Sequence, residues 1–317
     1  MKKLIKKIIA YFFSDSSKEP AAIPGCKLLV GPNCSIDPTA LLNGTETSEI
    51  ILEGDNYIGR NVEIGPLTKI SLGNNTSLQD RCILLGDIEI GKSCLFAPNV
   101  FISSGRHYFD LHPEMYIKDQ DELVQNSAEL KARHSRKISI EDDCWIGVNA
   151  VIMPGVTIAK GSVIGANSVV TKNVEPYTIV AGIPATEVKK RLQFKAKHTL
   201  DALKDADLPY FYSGFYCSSK HLTVSRKKGG VQSSSYFKLF LEYTNFQKIT
   251  LHLVNPTSDS LTLNYHGQTQ HIAPLSDSKC IFDIENTYLH EFKFGATNAA
   301  KAKIDSLGLI VKLVEAT

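Results

Sequence analysis

"WIGVNAVIMPGVTIAKGSVIGANSVV", residues 145–170, carries an aliphatic side chain at every sixth position. Ile146, Ile152, Ile158, Ile164 and Val170 form the series, and Ile140 extends it one step back. Compact residues follow four places on, at Cys144, Ala150, Val156, Ser162 and Ser168, while Gly147, Ala159 and Gly165 come directly after the aliphatic. A helix repeats near 3.6 residues and a strand at 2, so neither produces a period of six. Short strands alternating with tight turns do. The aliphatic points inward, the compact residue fits the corner, and glycine or asparagine tolerates the turn dihedrals. Three such units close one coil, and coils stack as parallel sheets bonded from coil to coil. The expected fold is a β-helix.

The same register runs earlier. Val30, Ile36 and Leu42 make a short first set, then come Leu52, Ile58, Ile64 and Ile70. After a slip of two residues the series resumes at Leu78, Leu84, Ile90, Phe96 and Ile102. It then stops until Ile140. The intervening segment, 103–139, is too long for a turn, and long loops inside compact folds are commonly functional. It opens with Ser103, Ser104, Gly105 and Arg106 and contains His107, His112 and His134 among several carboxylates. A histidine titrates near neutrality, so it suits the proton transfers of group-transfer chemistry.

Composition bounds the alternatives. The chain has 317 residues, 43% hydrophobic and 21% charged, enough for two domains with real cores. A net charge of +2 gives no electrostatic case for nucleic acid. No apolar run reaches eighteen residues, so no transmembrane helix is expected. Of seven cysteines, Cys34, Cys82, Cys94 and Cys144 share one phase of the repeat and read as core thiols of a reducing compartment. Cys26, Cys217 and Cys280 have no zinc-site spacing. Residues 1–24 are a basic amphipathic segment. Leu4, Ile5, Ile8, Ile9 and Phe12 make one helical stripe flanked by Lys2, Lys3, Lys6 and Lys7. Residues 1–13 either lie on an anionic membrane surface or pack against protein, and both readings stand open. The expected location is the cytoplasm, with peripheral contact to the inner face of its membrane on the first reading.

Residues 145–174, together with "PYTIVAGIPATEVKKR" at 176–191, closely resemble the hexapeptide-repeat acyltransferases, the group that holds maltose, galactoside and polysaccharide O-acetyltransferases. The resemblance covers about residues 30–191. It implies a left-handed parallel β-helix, a homotrimer, and acetyl-CoA bound between subunits with no metal. In that family the catalytic histidine follows a stretch like Ala97-Pro98-Asn99-Val100, which points here to His107 as general base and to Asp110 as its acidic partner. Tyr108 stands where the family commonly has proline. For the acetyl-CoA donor the resemblance indicates Trp145, Gly147, Asn149, Gly165, Ala166, Thr171, Lys172, Pro184, Ala185, Lys189 and Lys190. Lys189, Lys190 and Arg191 read equally well as a solvated basic face. Gln79, Asp80 and Arg81 lie near the coil that contacts the sugar in related enzymes, but the slip leaves their alignment unsafe.

Beyond Arg191 the pattern changes. Residues 193–217 read as a linker with a short helix and an aromatic cluster, and 218–317 as short alternating strands of a β-sandwich-like domain. Tyr210, Phe211, Tyr212, Phe215 and Tyr216 are either core or a platform for sugar rings. The β-helix domain is expected over 25–192. The leading reading is an acetyl-CoA-dependent O-acetyltransferase acting on a saccharide, a capsular or lipopolysaccharide-type polymer or its precursor. An N-acetyltransferase on an amino sugar nucleotide and a non-catalytic trimeric scaffold are the alternatives. A zinc carbonic anhydrase of this fold needs a histidine upstream of His107, and the sequence has none.

Overall fold

The computed structural model describes residues 26–130, 136–193, 197–215, 226–227, 230–241, 247–283, 289–296 and 310–316. The amphipathic segment 1–24, His134, Tyr216 and Cys217 lie outside them. The chain divides into two compact units, Met1–Gln193 and Phe194–Thr317.

The first unit is a parallel β-solenoid of about 7 turns. Each coil has three faces. The first stacks Ser35–Ile36, Tyr57–Ile58, Ser77–Leu78, Leu95–Phe96, Trp145–Ile146, Val163–Ile164 and Thr178–Gly182, ending on the antiparallel strand Ala185–Lys190. The second runs through Leu41–Leu42, Phe101–Ser103, Val151–Ile152 and Val169–Val170, the third through Lys27–Val30, Glu49–Leu52, Ile138–Ile140 and Thr157–Ile158. Two long strands, Glu63–Leu72 and Ile83–Ile90, turn the edge between these last two faces. The hexad aliphatics are the core. Ile146 stacks between Phe96 and Ile164, Ile152 between Ile102 and Val170, and Ile140 between Ile90 and Ile158, all buried. Each contributes about 1.5–3 kcal/mol by leaving water.

Two details of the register differ from the sequence expectation. Leu72, not Ile70, continues the series, since it sits between Leu52 and Ile90. Residues 67–69 bulge outward and leave Leu67 exposed, while Pro66 and Ile70 on either side stay paired and buried. The Asp87 carboxylate holds this bulge by accepting from the backbone of Thr68 and Lys69 and from the Thr68 hydroxyl, at 2.7–3.0 Å. Val30 pairs with Leu52 as the series requires but is exposed, because it lies on the end coil.

The compact corner residues are also buried, and they bond from coil to coil. The thiols of Cys94 and Cys144 donate to the carbonyls of Glu141 and Ala159, and the Ser162 hydroxyl to that of Glu175. Burial pushes the Cys82 thiol up to about 11, and the adjacent Cys94 thiol together with burial raises Cys144. Such thiols are inert core groups. Cys34, nearer the end, is only half-buried. On another corner Asn99, Asn149 and Asn167 adopt left-handed φ of 61°, 58° and 56°. Their amides form a ladder, Asn99 to Asn149 at 3.0 Å and Asn149 to Asn167 at 2.9 Å.

The second unit is antiparallel. Its path runs Gln268–Ile272, Leu261–Tyr265, Leu289–Ala296, Gly230–Phe240, Ile310–Ala316, Lys248–Val254, Asp277–Asp283. The Gln268 amide ties the two ends, donating to the Asp283 carbonyl at 2.7 Å and accepting from its N–H at 2.9 Å. Residues expected to be linker belong to this unit: Thr199–Asp201 pairs with Ile310–Ala316, and Ser213–Phe215 with Gly230–Phe240. Tyr210, Phe211, Tyr212 and Phe215 are buried, so these four are core and not a sugar platform. Phe237 stacks on Phe292, and Phe292 on Tyr265, with centroids 5.2 and 4.9 Å apart.

The stacking distance generates a test. A Cβ at Gly147 would lie 2.7 Å from the Ala166 nitrogen and the Ile164 carbonyl oxygen, whereas one at Gly105 meets nothing nearer than 3.5 Å. Gly147→Ala should cost about 1–3 kcal/mol and lower the melting temperature by several degrees. Gly105→Ala should melt like the parent, and calorimetry of the two variants checks the pair.

Candidate functional site

The loop leaves the solenoid under control. Ser104 is buried, its N–H still bonds to the Leu85 carbonyl at 3.0 Å, and its hydroxyl accepts from the Asp87 N–H at 2.7 Å. Gly86 makes room for it, with φ of 96° and a would-be Cβ 2.1 Å from that hydroxyl. Next, Arg106 bonds to Asp110 at 2.6 Å and its guanidinium lies 5.3 and 5.5 Å from the Tyr108 and Phe109 ring centroids. Cation–π packing of this kind stiffens a segment that has no regular structure.

Farther along the loop, Ile117–Gln125 form a helix, α1. Its buried residues are Gln120 and Val124. Asp121, next to Gln120, turns toward the start of the loop. One carboxylate oxygen accepts from the Tyr108 N–H at 2.8 Å, and the other lies 2.6 Å from Nδ1 of His107. The Tyr108 N–H and the His107 ring hold the Asp121 carboxyl below its usual range. An ionised carboxylate on Nδ1 keeps the proton there and leaves Nε2 with its lone pair. The His107 side chain is 83% exposed, so Nε2 is open to a ligand.

This corrects the expected partner. Asp110 is engaged by Arg106, and Asp121, fourteen residues beyond His107, takes the imidazole. The sequence offers no distinctive signal for it, since Asp121 is one of several carboxylates in the segment. The His112 ring lies 3.3 Å from Glu114 and is exposed. Among the described residues no three His, Cys, Asp or Glu side chains gather as metal ligands, and no helix is long and apolar enough to cross a membrane.

The residues expected at the donor do not gather in one chain. The loop and Thr171-Lys172 share the edge between the second and third faces. Gly147, Asn149, Gly165 and Ala166 lie on the edge between the first and second. Trp145 stands on the first face, 53% exposed. Pro184 lies in the turn of the terminal hairpin, and Ala185 opens its second strand, which also carries Lys189 and Lys190. Several are occupied structurally: Asn149 by its ladder, Gly147 and Gly165 by close stacking, and Lys190 by Thr178 and Glu187 at 2.8 and 3.2 Å. Arg191 is exposed but paired, bonding to the Asp143 carboxylate and the Gly161 carbonyl, both at 3.0 Å. Ala166, Thr171 and Lys172 are exposed, and so is much of a row in register on the first face: Leu95, Trp145 and Lys189 exposed, Val163 and Ile179 half-buried. Of the acceptor candidates, Asp80 is clamped by Arg60 at 2.6–3.0 Å, and Arg81 bonds to Asn99 at 2.7 Å.

Comparison with known proteins adds to this geometry. A family model described as "Hexapeptide repeat of succinyl-transferase" matches residues 137–172. A galactoside O-acetyltransferase of Lactococcus lactis is 30% identical over 182 residues, 57% of this chain and 72% of that enzyme. A chloramphenicol acetyltransferase of Morganella morganii is 46% identical over 108 residues, 32% of this chain and 50% of that enzyme. Among solved structures, an N-acyltransferase mutant from Bacillus cereus in complex with dTDP and coenzyme A aligns with 19% identity and a TM-score of 0.41. That alignment covers 52% of this chain and 84% of the other.

The Asp121 contacts predict an acid-sensitive loop. Its folded pKa is lowered, so the stabilisation is present above about pH 4 and is lost as the pH falls through the depressed value. Asp121→Asn should remove it at every pH. Hydrogen exchange at the Tyr108 amide reads this directly: faster in Asp121→Asn at neutral pH, and close to the parent rate in Asp110→Asn.

Proposed function

The chain belongs to the hexapeptide-repeat acetyltransferases, and we propose that it moves an acetyl group from acetyl-CoA to a saccharide hydroxyl, with His107 as general base. The observation that carries this reading is the 2.6 Å contact between Asp121 and Nδ1, with the rest of the ring exposed. Nε2 accepts the proton of the acceptor hydroxyl, and the freed oxygen attacks the thioester carbonyl. A C–O bond forms as the C–S bond breaks, and the imidazolium returns its proton to the departing sulfur. Asp121 stabilises the imidazolium during this exchange and keeps the ring from turning over. The row Leu95, Trp145, Val163, Ile179 and Lys189 suits the donor chemically, an apolar wall for a pantetheine arm with an ammonium group at its end for phosphate.

Because His107 and this row occupy an edge and the face opposite it, the reading needs a second copy of the chain. A homotrimer with each site shared between neighbours satisfies that geometry. The galactoside O-acetyltransferase relative covers the longer stretch and favours a sugar acceptor, a polymer or its precursor included. The chloramphenicol acetyltransferase relative makes a small antibiotic hydroxyl the second reading. A panel of methyl galactoside, maltose, a bacterial surface polysaccharide and chloramphenicol, each assayed with acetyl-CoA, separates the two. His107→Ala should lower kcat on the active acceptor by roughly 10²–10⁴-fold without changing the KM for acetyl-CoA or the oligomeric state. Full activity in that variant would remove the proposed base.

A further inference from the structure

We propose that Gln120 is a positioning residue: its buried amide docks α1 on the loop and thereby holds Asp121 against the His107 ring. The inference builds on the reading of His107 as base. α1 has nine residues, too few to persist alone in water, and its N-cap, Tyr116, makes no side-chain capping bond. Something outside the helix must hold it. Gln120 and Val124, one turn apart, are its buried contacts.

Of the two, Gln120 does the directional part. Its Oε1 accepts from the N–H groups of both Leu111 and His112 at 3.1 Å, and its Nε2 donates to the Met115 carbonyl at 3.2 Å. A primary amide offers two donors and two acceptor sites, so three of four are used inside the loop. Asp121 adds the contacts to His107 and Tyr108. Two consecutive side chains therefore stitch α1 to residues 107–108 and 111–115. Val124 adds burial but no direction, since apolar contact is tolerant of sliding. Without the Gln120 amide, Asp121 keeps its charge and loses its place, and the imidazole is free to exchange tautomers. The solenoid core, which contains none of these residues, is unaffected.

Gln120→Met keeps the length and volume of the side chain and deletes all three bonds. Gln120→Glu keeps both acceptor bonds. The test is the ring ¹⁵N spectrum of His107 in the full-length chain labelled at histidine, with His107→Asn for assignment and Asp121→Asn as the reference that lacks the partner charge. The parent and Gln120→Glu should show the Nδ1-protonated tautomer. Gln120→Met should move toward the Asp121→Asn spectrum while its melting temperature stays at the parent value. In acetyl transfer to methyl galactoside, Gln120→Met should lose roughly 10- to 100-fold in kcat at unchanged KM for acetyl-CoA. A parent-like spectrum in Gln120→Met overturns the proposal whatever the activity does. A shifted spectrum with parent kcat upholds the role of Gln120 and removes His107 as base instead.

Discussion

Backbone hydrogen bonding from coil to coil is the constraint on which the first unit depends. Leu95 donates to the Cys144 carbonyl at 2.9 Å, and Trp145 to the Ser162 carbonyl at 3.0 Å, so each coil is a template for the next. That spacing leaves room for little else. It demands an inward aliphatic once per strand and a compact corner group. Where two backbones meet, as at Gly147 and Gly165, it excludes even a methyl group. A segment can leave such a stack only where its last bonds are made, and Ser104 makes them before Arg106 turns away.

The functional reading follows from this rigidity. A loop cannot hold a base against a partner carboxylate unless both ends are fixed, and here the solenoid fixes them at Ser103 and Ile138. Within the loop, polar bonds replace the missing core: Asp110 takes Arg106, Gln120 takes three backbone groups, and Asp121 takes His107 and Tyr108. Of the residues expected at the donor, only Thr171 and Lys172 share the loop's edge, and the others lie on other edges and faces of the solenoid.

The sequence was readable where one residue type answers one physical demand. Period six gave the coils, the inward faces and the position of the interruption, because burial at Ile140 to Val170 tolerates only aliphatic side chains. It failed at the slip, where both Ile70 and Leu72 are apolar and buried and only strand pairing separates them. It failed again at Asp110. Inside an irregular loop no period links residue 107 to residue 121, and the nearer carboxylate had a stronger cation in Arg106. The aromatic run at 210–215 stayed open between core and platform for a related reason, since composition does not tell a buried ring from an exposed one.

In the proposed reaction the His107–Asp121 pair presents Nε2 to the acceptor hydroxyl. A crystal structure with coenzyme A and the acceptor identified in the panel tests it most directly. The reacting hydroxyl should lie within about 2.6–3.2 Å of Nε2, with Asp121 still on Nδ1. A hydroxyl bound to any other basic group, with His107 facing solvent, would contradict it.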